Sequence, residues 1–281
     1  MVVIESEKCV GCGLCARICH EDCILLANGN GNQVKRNNHS LCSTCTQCIA
    51  VCPQGALSWN HTPPTPNDKS LLPSGEQLSE LLKQRRTTRH FKKIKIERKL
   101  IEEIISYAIY APTNNYALRA IAVDDPETIR ELDTAIMRFV SYFYSLCYRS
   151  SVIYNLLRLL TPEINPKNRL KLARGLQKGR SYDSLHTTLI FIVGDRRILQ
   201  SEASAQYAIY NMGLLAQALG LGSRIKAAGA VVLNRNRTAR KRLGLRNQEY
   251  ILGTLELGYP AVKFSNKVEG KTMSIHWSER E

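Results

Sequence analysis

CVGCGLCARIC (residues 9–19) and CSTCTQCIAVCP (residues 42–53) are two copies of one spacing, C-x2-C-x2-C-x3-C. The first copy carries Cys9, Cys12, Cys15 and Cys19. The second carries Cys42, Cys45, Cys48 and Cys52 and is closed by Pro53, where the first has His20. Three thiolates at x2 spacing on one short loop reach neighbouring irons on one face of a cubane, and the fourth points away to a partner cluster. The spacing therefore predicts two [4Fe–4S] clusters, one on Cys9, Cys12, Cys15 and Cys52 and the other on Cys19, Cys42, Cys45 and Cys48. Structural zinc sites draw pairs of C-x2-C across a spacer and use fewer thiols per loop. A disulfide framework belongs to secreted chains, and Met1 leads into no charged and apolar leader. Cys23 stands open as a buried spectator or as an alternative to Cys19. Cys147, in an apolar helical stretch, reads as core. A segment that joins two clusters moves electrons.

The 281 residues leave room for one small and one medium domain. Residues 1–60 balance four cations (Lys8, Arg17, Lys35, Arg36) against four acids (Glu5, Glu7, Glu21, Asp22), so the net charge of +15 lies wholly beyond residue 60. A basic domain suits an anionic cofactor, an acidic substrate or an acidic electron carrier as well as nucleic acid. The basic stretch Arg235, Arg237, Arg240, Lys241 and Arg242 lacks the aromatic interleaving of single-strand binders and reads as a solvated helix face ending at Gly244. No run approaches the roughly 18 apolar residues of a membrane span. A soluble chain in the reducing cytoplasm, with no nucleic acid as partner, is expected.

The chain divides into residues 1–60, a proline-bearing linker over 61–75 and a second domain over 76–281. Asn28-Gly29 between Ile24-Leu25-Leu26 and Gln33-Val34 predicts a hairpin. Ser74 with Gln77 makes a capping box before Leu78, Leu81 and Leu82. Ile101, Ile104, Ile105, Ala108 and Ile109 mark a helix that stops at Ala111-Pro112. Ala120–Val123 reads as a strand, and Asp125-Pro126 opens the next helix. Phe139–Leu160 reads as one or two helices, facing the core or a dimer partner in preference to capping a pocket. Leu189–Val193, Ala230–Leu233 and Tyr250–Leu257 read as strands, and Ala203–Leu219 as a helix ended by Gly220 and Gly222. The fold class is α+β: a small bacterial-ferredoxin-like domain, then a domain with a central sheet flanked by helices.

Arg85-Arg86-Thr87-Thr88-Arg89-His90-Phe91 packs three guanidiniums and two hydroxyls into five residues, which suits a phosphate and the pyrimidine edge of a flavin. Ala111-Pro112-Thr113, Gly220-Leu221-Gly222-Ser223 and Gly258-Tyr259-Pro260 follow in order. Together these motifs resemble the nitroreductase family of FMN enzymes, and the whole chain resembles its ferredoxin-fused branch. The resemblance implies a homodimer with FMN at the subunit interface. Arg85, Arg86, Thr87 and Arg89 would hold the phosphate and the N1/O2 edge. Pro112, Thr113 and Asn115 would come from the second subunit, and the Ala228-Gly229 backbone would approach N5. Gly270 stands where the family places a phosphate-binding arginine, with Lys271 or Lys267 as substitutes. Asn114-Asn115-Tyr116 lacks the family's glutamine.

The resemblance implies electron flow from a low-potential donor, an external ferredoxin or similar, through the two clusters to FMN. The flavin then reduces a small nitroaromatic, quinone or enone by hydride transfer from N5. No catalytic side chain is nominated, because the flavin carries the chemistry. No G-x-G-x-x-G follows a strand, which argues against a built-in nicotinamide domain. The alternative is an electron-transfer or redox-sensing protein with a degenerate flavin site.

Overall fold

The computed structural model describes residues 1–26, 34–36, 40–112, 117–162, 164–178, 186–270 and 272–278. In it each cysteine run is a loop that enters a short helix and then a short strand. β1 (Val2–Ile4) precedes the first run, which leads into α1 (Leu14–Ile18) and β2 (Ile24–Leu26). After β3 (Val34–Arg36) the second run leads into α2 (Gln47–Ala50) and β4 (Leu57–Trp59). β1 pairs antiparallel with β4 and β2 with β3, as the hairpin expectation requires; its Asn28-Gly29 turn lies outside the described residues. The buried core is small: Val2, Ile24, Val34, Ala56 and Leu57 with the thiols of Cys15 and Cys48. Met1–Pro73 form one compact unit, and Ser74–Pro112 with Ala117–Glu281 form a second.

In the second unit the helix starts follow local chemistry. α3 (Gly75–Gln84) opens on a capping box, in which Ser74 Oγ accepts from the Gln77 N–H and Gln77 Oε1 accepts from the Ser74 N–H. α4 (Arg98–Ser106) runs into a 3-10 turn that ends at Tyr110, two residues before Pro112. β5 (Arg119–Val123) is followed by α5 (Pro126–Tyr148), capped by Asp125 with proline in its first turn. α6 (Ser151–Leu160) starts afresh at Ser150, so the apolar stretch 139–160 forms two helices. Next come α7 (Pro166–Lys178), β6 (Thr188–Gly194), α8 (Ser201–Ala218) and β7 (Gly222–Ile225). α9 (Ala227–Leu233), α10 (Arg237–Arg242) and β8 (Tyr250–Gly258) complete the unit.

The sheet has the order β5-β6-β8-β7 and is antiparallel throughout. Every residue of β6 is buried, because helices cover both faces. The two-residue period of the strand sends Leu189, Phe191 and Val193 to one side, against Ile129 and Leu132 of α5 and Val232 and Leu233 of α9. Ile190 and Ile192 face the other side, against Ile104 of α4 and Ile209 and Met212 of α8. The class is α+β with a central sheet flanked by helices, as expected. Among the described residues no helix is long and apolar enough to cross a membrane.

One expectation is overturned: Ala230–Leu233 is the end of α9, not a strand. Val232 and Leu233 are both buried while Val231 is half exposed, a pattern that a period of two cannot produce. A four-residue apolar run does not distinguish strand from buried helix, and here packing against β5–β8 decides. The basic stretch after it forms α10, whose arginines are partly docked. Arg240 donates to the carbonyls of Glu249 and Arg246, and Arg242 pairs with Glu131.

Candidate functional sites

In the first unit two thiol groups form across the two runs. Burial raises the pKa of Cys15 first, and the charges of Cys52 and Cys9 raise it further. Cys48 is pushed up to about 11, again by burial first, with Cys45, Cys19 and Cys42 adding to the effect. Cys52 thus lies with the first run, and Cys19 lies with the second. Among the described residues no three His, Cys, Asp or Glu side chains gather as a single-ion site. Instead Cys19, Cys23, Cys42, Cys45 and Cys48 line a cavity of about 180 Å3 whose apolar wall includes Val2 and Ile24. Thiols around an apolar cavity are the donor set that iron–sulfur clusters take, one thiolate per iron.

The loops have matching backbones. Gly11 and Gly13 in the first run, and Thr44 and Thr46 at the equivalent places in the second, all have φ between 58° and 73°. Left-handed residues alternating with right-handed ones turn successive N–H groups toward one concavity, which favours an anionic occupant. Threonine is rarely found there. Each of these two donates its hydroxyl to the preceding carbonyl at 2.7 Å, which anchors it in that conformation.

In the second unit Arg85, Arg86, Thr87 and Arg89 line one cavity of about 400 Å3, closed by Phe264 and Val268 of the C-terminal segment. The segment lies along the free edge of β7: Thr87 bridges Ser223 in parallel, and the Thr88 N–H donates to Ser223 O at 3.0 Å. Farther on, Lys92 N–H donates to Tyr259 O, and the Ala261 N–H donates to His90 O. Two glycines make this close approach possible. A Cβ on Gly222 would stand 2.7 Å from the Thr88 Cβ, and one on Gly258 would stand 2.6 Å from Phe91 Cδ1. Gly222→Ala is therefore expected to cost about 1–3 kcal/mol by overpacking, read as a lower urea midpoint with an unchanged slope. An unshifted midpoint would mean that Thr88 yields freely.

The other nominated residues fare unequally. Arg86 donates Nη1 to the carbonyls of Lys83 and Arg85, so it also closes the end of α3. Lys267 pairs with Glu80 of α3 at 2.7 Å, which directs its charge to the helix. Gly229 is buried in the first turn of α9, beside Ala228, and Pro112 is exposed. Thr113, Asn115 and Lys271 lie outside the described residues.

A buried ionic cluster stands behind the arginine segment, and the motifs did not announce it. Glu256 of β8 is fully buried and accepts from Arg224 Nε at 2.7 Å and from the Thr187 hydroxyl at 3.0 Å. Lys226 Nζ lies 2.9 Å from the same carboxylate. Arg224 also stacks over Phe91, 5.9 Å from the ring centroid, which ties the cluster to the 85–91 segment. The available signal was a lone acid inside the apolar run Tyr250–Leu257.

Comparison with known proteins agrees with both units. Residues 82–259 match the nitroreductase family, and residues 8–56 match the 4Fe-4S dicluster domain. An uncharacterised ferredoxin of Methanocaldococcus jannaschii is 23% identical over 69 residues, 25% of this chain and 90% of that protein. A nitroreductase with bound FMN from Desulfitobacterium hafniense superposes with a TM-score of 0.53 at 17% identity, covering 70% of this chain and 97% of the other. A BluB-like flavoprotein from Clostridium difficile gives 0.55 at 15% identity, covering 70% and 96%. At such identities the superpositions speak for the fold alone, whereas the family match takes in well over half of the residues. With a 4Fe-4S dicluster ferredoxin domain ahead of the matched region, the chain belongs to the nitroreductase family.

Proposed function

We propose that the protein is an FMN-dependent oxidoreductase in which residues 1–60 carry two [4Fe–4S] clusters that feed electrons to FMN held by residues 76–281. The observation that carries this reading is the convergence of Arg85, Arg86, Thr87 and Arg89 on one cavity in a nitroreductase-family chain that also bears the doubled cysteine run. Bound FMN would supply the exchange between single electrons and a two-electron reduction of a small nitroaromatic, quinone or enone. The chain's part is binding and orientation. Arg85 and Arg89 place positive charge where a phosphate or a reduced flavin ring would be anionic, and Thr87 adds a hydroxyl donor. Gly229 offers backbone without a side chain at the start of α9. Cys9, Cys12, Cys15 and Cys52 would hold one cluster, and Cys19, Cys42, Cys45 and Cys48 the other.

Pro112, Thr113 and Asn115 would complete the flavin site from a second subunit. Exposed apolar side chains on α5 and α6, among them Tyr142, Val152, Leu156 and Leu159, support a homodimer. A low-potential external donor of the ferredoxin type fits the fused cluster domain, in the reducing cytoplasm where such clusters persist.

Anaerobic purification with iron, sulfide and flavin counted per chain tests the reading. About eight irons and one FMN are expected, with the flavin bleaching after the clusters in a dithionite titration. Full iron without flavin, even after FMN is added, would overturn the reductase reading and leave an electron carrier or redox sensor. Arg89→Ala is expected to weaken FMN binding roughly ten- to a hundredfold, the loss of one charge-assisted contact of about 1.5–3 kcal/mol. Equilibrium titration followed by flavin fluorescence reads this directly; unchanged affinity would remove Arg89 from the site.

A further inference from the structure

The two halves of the N-terminal unit correspond position by position. Cys9, Cys12, Cys15 and Cys19 match Cys42, Cys45, Cys48 and Cys52. α1 follows left-handed Gly13 as α2 follows left-handed Thr46, and β2 begins at Ile24 as β4 begins at Leu57. The match extends to the sulfur contacts. The thiol of Cys19 accepts from the backbone N–H four residues on, at Cys23 and 3.2 Å. That of Cys52 accepts from the N–H of Ala56 at 3.3 Å. Equivalent places in the repeat thus hold a cysteine in one half and an alanine in the other.

That single difference gives the halves unequal numbers of thiols. Cys23 is 7% exposed and lines the cavity of Cys19, Cys42, Cys45 and Cys48. Its Sγ–H donates to Glu21 O at 3.6 Å. Cys19 itself is only half-buried.

We propose that Cys23 is a reserve ligand of the cluster on Cys19, Cys42, Cys45 and Cys48, able to take the iron that Cys19 releases; this rests on the iron–sulfur reading above. In the exchange the Fe–Sγ bond to Cys19 breaks and one to Cys23 forms. The proton leaving Cys23 passes to Cys19, and no electron is gained or lost. The two residues bracket one turn, share a cavity wall and are already joined by the N–H···S contact, so the exchange moves side chains within an intact backbone frame. A soft thiolate is the donor that such an iron selects. The cluster on Cys9, Cys12, Cys15 and Cys52 has no such reserve, because Ala56 stands at the matching place.

The test counts iron and sulfide in the full chain, purified anaerobically, and records the electron paramagnetic resonance of the reduced protein. Cys23→Ala should keep the wild-type count of about eight irons. Cys19→Ala should keep that count too, with a changed resonance from one cluster, whereas Cys19→Ala/Cys23→Ala and Cys52→Ala should each lose iron. Adding Ala56→Cys to Cys52→Ala should restore it, which builds the reserve into the other half and does not depend on Cys19 variants folding. Equal iron loss in Cys19→Ala and in the double variant, with no restoration by Ala56→Cys, would overturn the proposal. Iron loss in Cys23→Ala alone would also overturn it, by making Cys23 a resident ligand. A wild-type chain without iron would sink the iron–sulfur reading itself.

Discussion

Glu256→Gln is expected to lower the unfolding free energy by about 3–5 kcal/mol, because it leaves two buried cations without the carboxylate they share. Glu256 is 0% exposed, and the side chains of Arg224 and Lys226 are 16% and 9% exposed. Burial pushes the Lys226 ammonium down to about 8, against the attraction of Glu256 that pushes it up. A lysine lowered on folding binds fewer protons in the native chain than in the unfolded one between about 8 and its ordinary 10.5. Wild-type stability should therefore rise as pH climbs through that window. Removing Glu256 removes the opposing attraction, so in the variant the rise should begin at lower pH. Chemical unfolding of both proteins across the window measures the two effects together. A variant as stable as the wild type at neutral pH would show that the carboxylate does not hold the pair. Because Arg224 stacks on Phe91, the variant should also loosen the segment that carries Arg85 and Arg89.

Stripping iron from the first unit is expected to unfold residues 1–60 outright. α1 and α2 have five and four residues, far below the roughly 12–15 at which an isolated helix becomes even marginal. The strands are three residues long and pair only in twos, too few for independent stability. Among the described residues, two of the seven buried core side chains are the thiols of Cys15 and Cys48, so the core is incomplete without what they bind. A domain of about sixty residues is marginal on its own core, and bound metal adds its binding free energy to folding. Far-ultraviolet circular dichroism and amide exchange before and after anaerobic chelation check the expectation. Amides of β1 and β4 that stay protected after iron is gone would show that the apolar core alone suffices.

Legibility in the sequence followed the range of the interaction. The capping box at Ser74 and Gln77 and the Asp125-Pro126 helix start rest on atoms within four residues, and each appears where the local pattern puts it, whereas the break at Ser150 inside the apolar stretch 139–160 was left open between one helix and two. β6 was legible because a strand buried on both faces is apolar without interruption. α9 was not: seven small and apolar residues satisfy either geometry until β8 and α5 pack against them. α7 is rich in charged residues and has few apolar ones, and β7 is four residues with a glycine and an arginine, too short to show a period.

The iron–sulfur chemistry of the N-terminal unit can be read without coordinates, because cluster ligation depends on spacings of two and three residues that survive any arrangement of the chain. Local spacing also keeps Arg85, Thr87 and Arg89 together, since five consecutive residues cannot separate far. The place of Cys23, left open between spectator and ligand by its spacing, came from packing, which sets it on the wall of the cavity that Cys19, Cys42, Cys45 and Cys48 line. Packing also showed what Gly222 and Gly258 are for: the missing Cβ atoms admit Thr88 and Phe91 to the sheet edge, and the arginines follow. The pairing of Glu256 with Arg224 and Lys226 is of the same kind. Burial raises the cost of an unpaired charge, and burial is a property of the packed chain that no single stretch of residues carries.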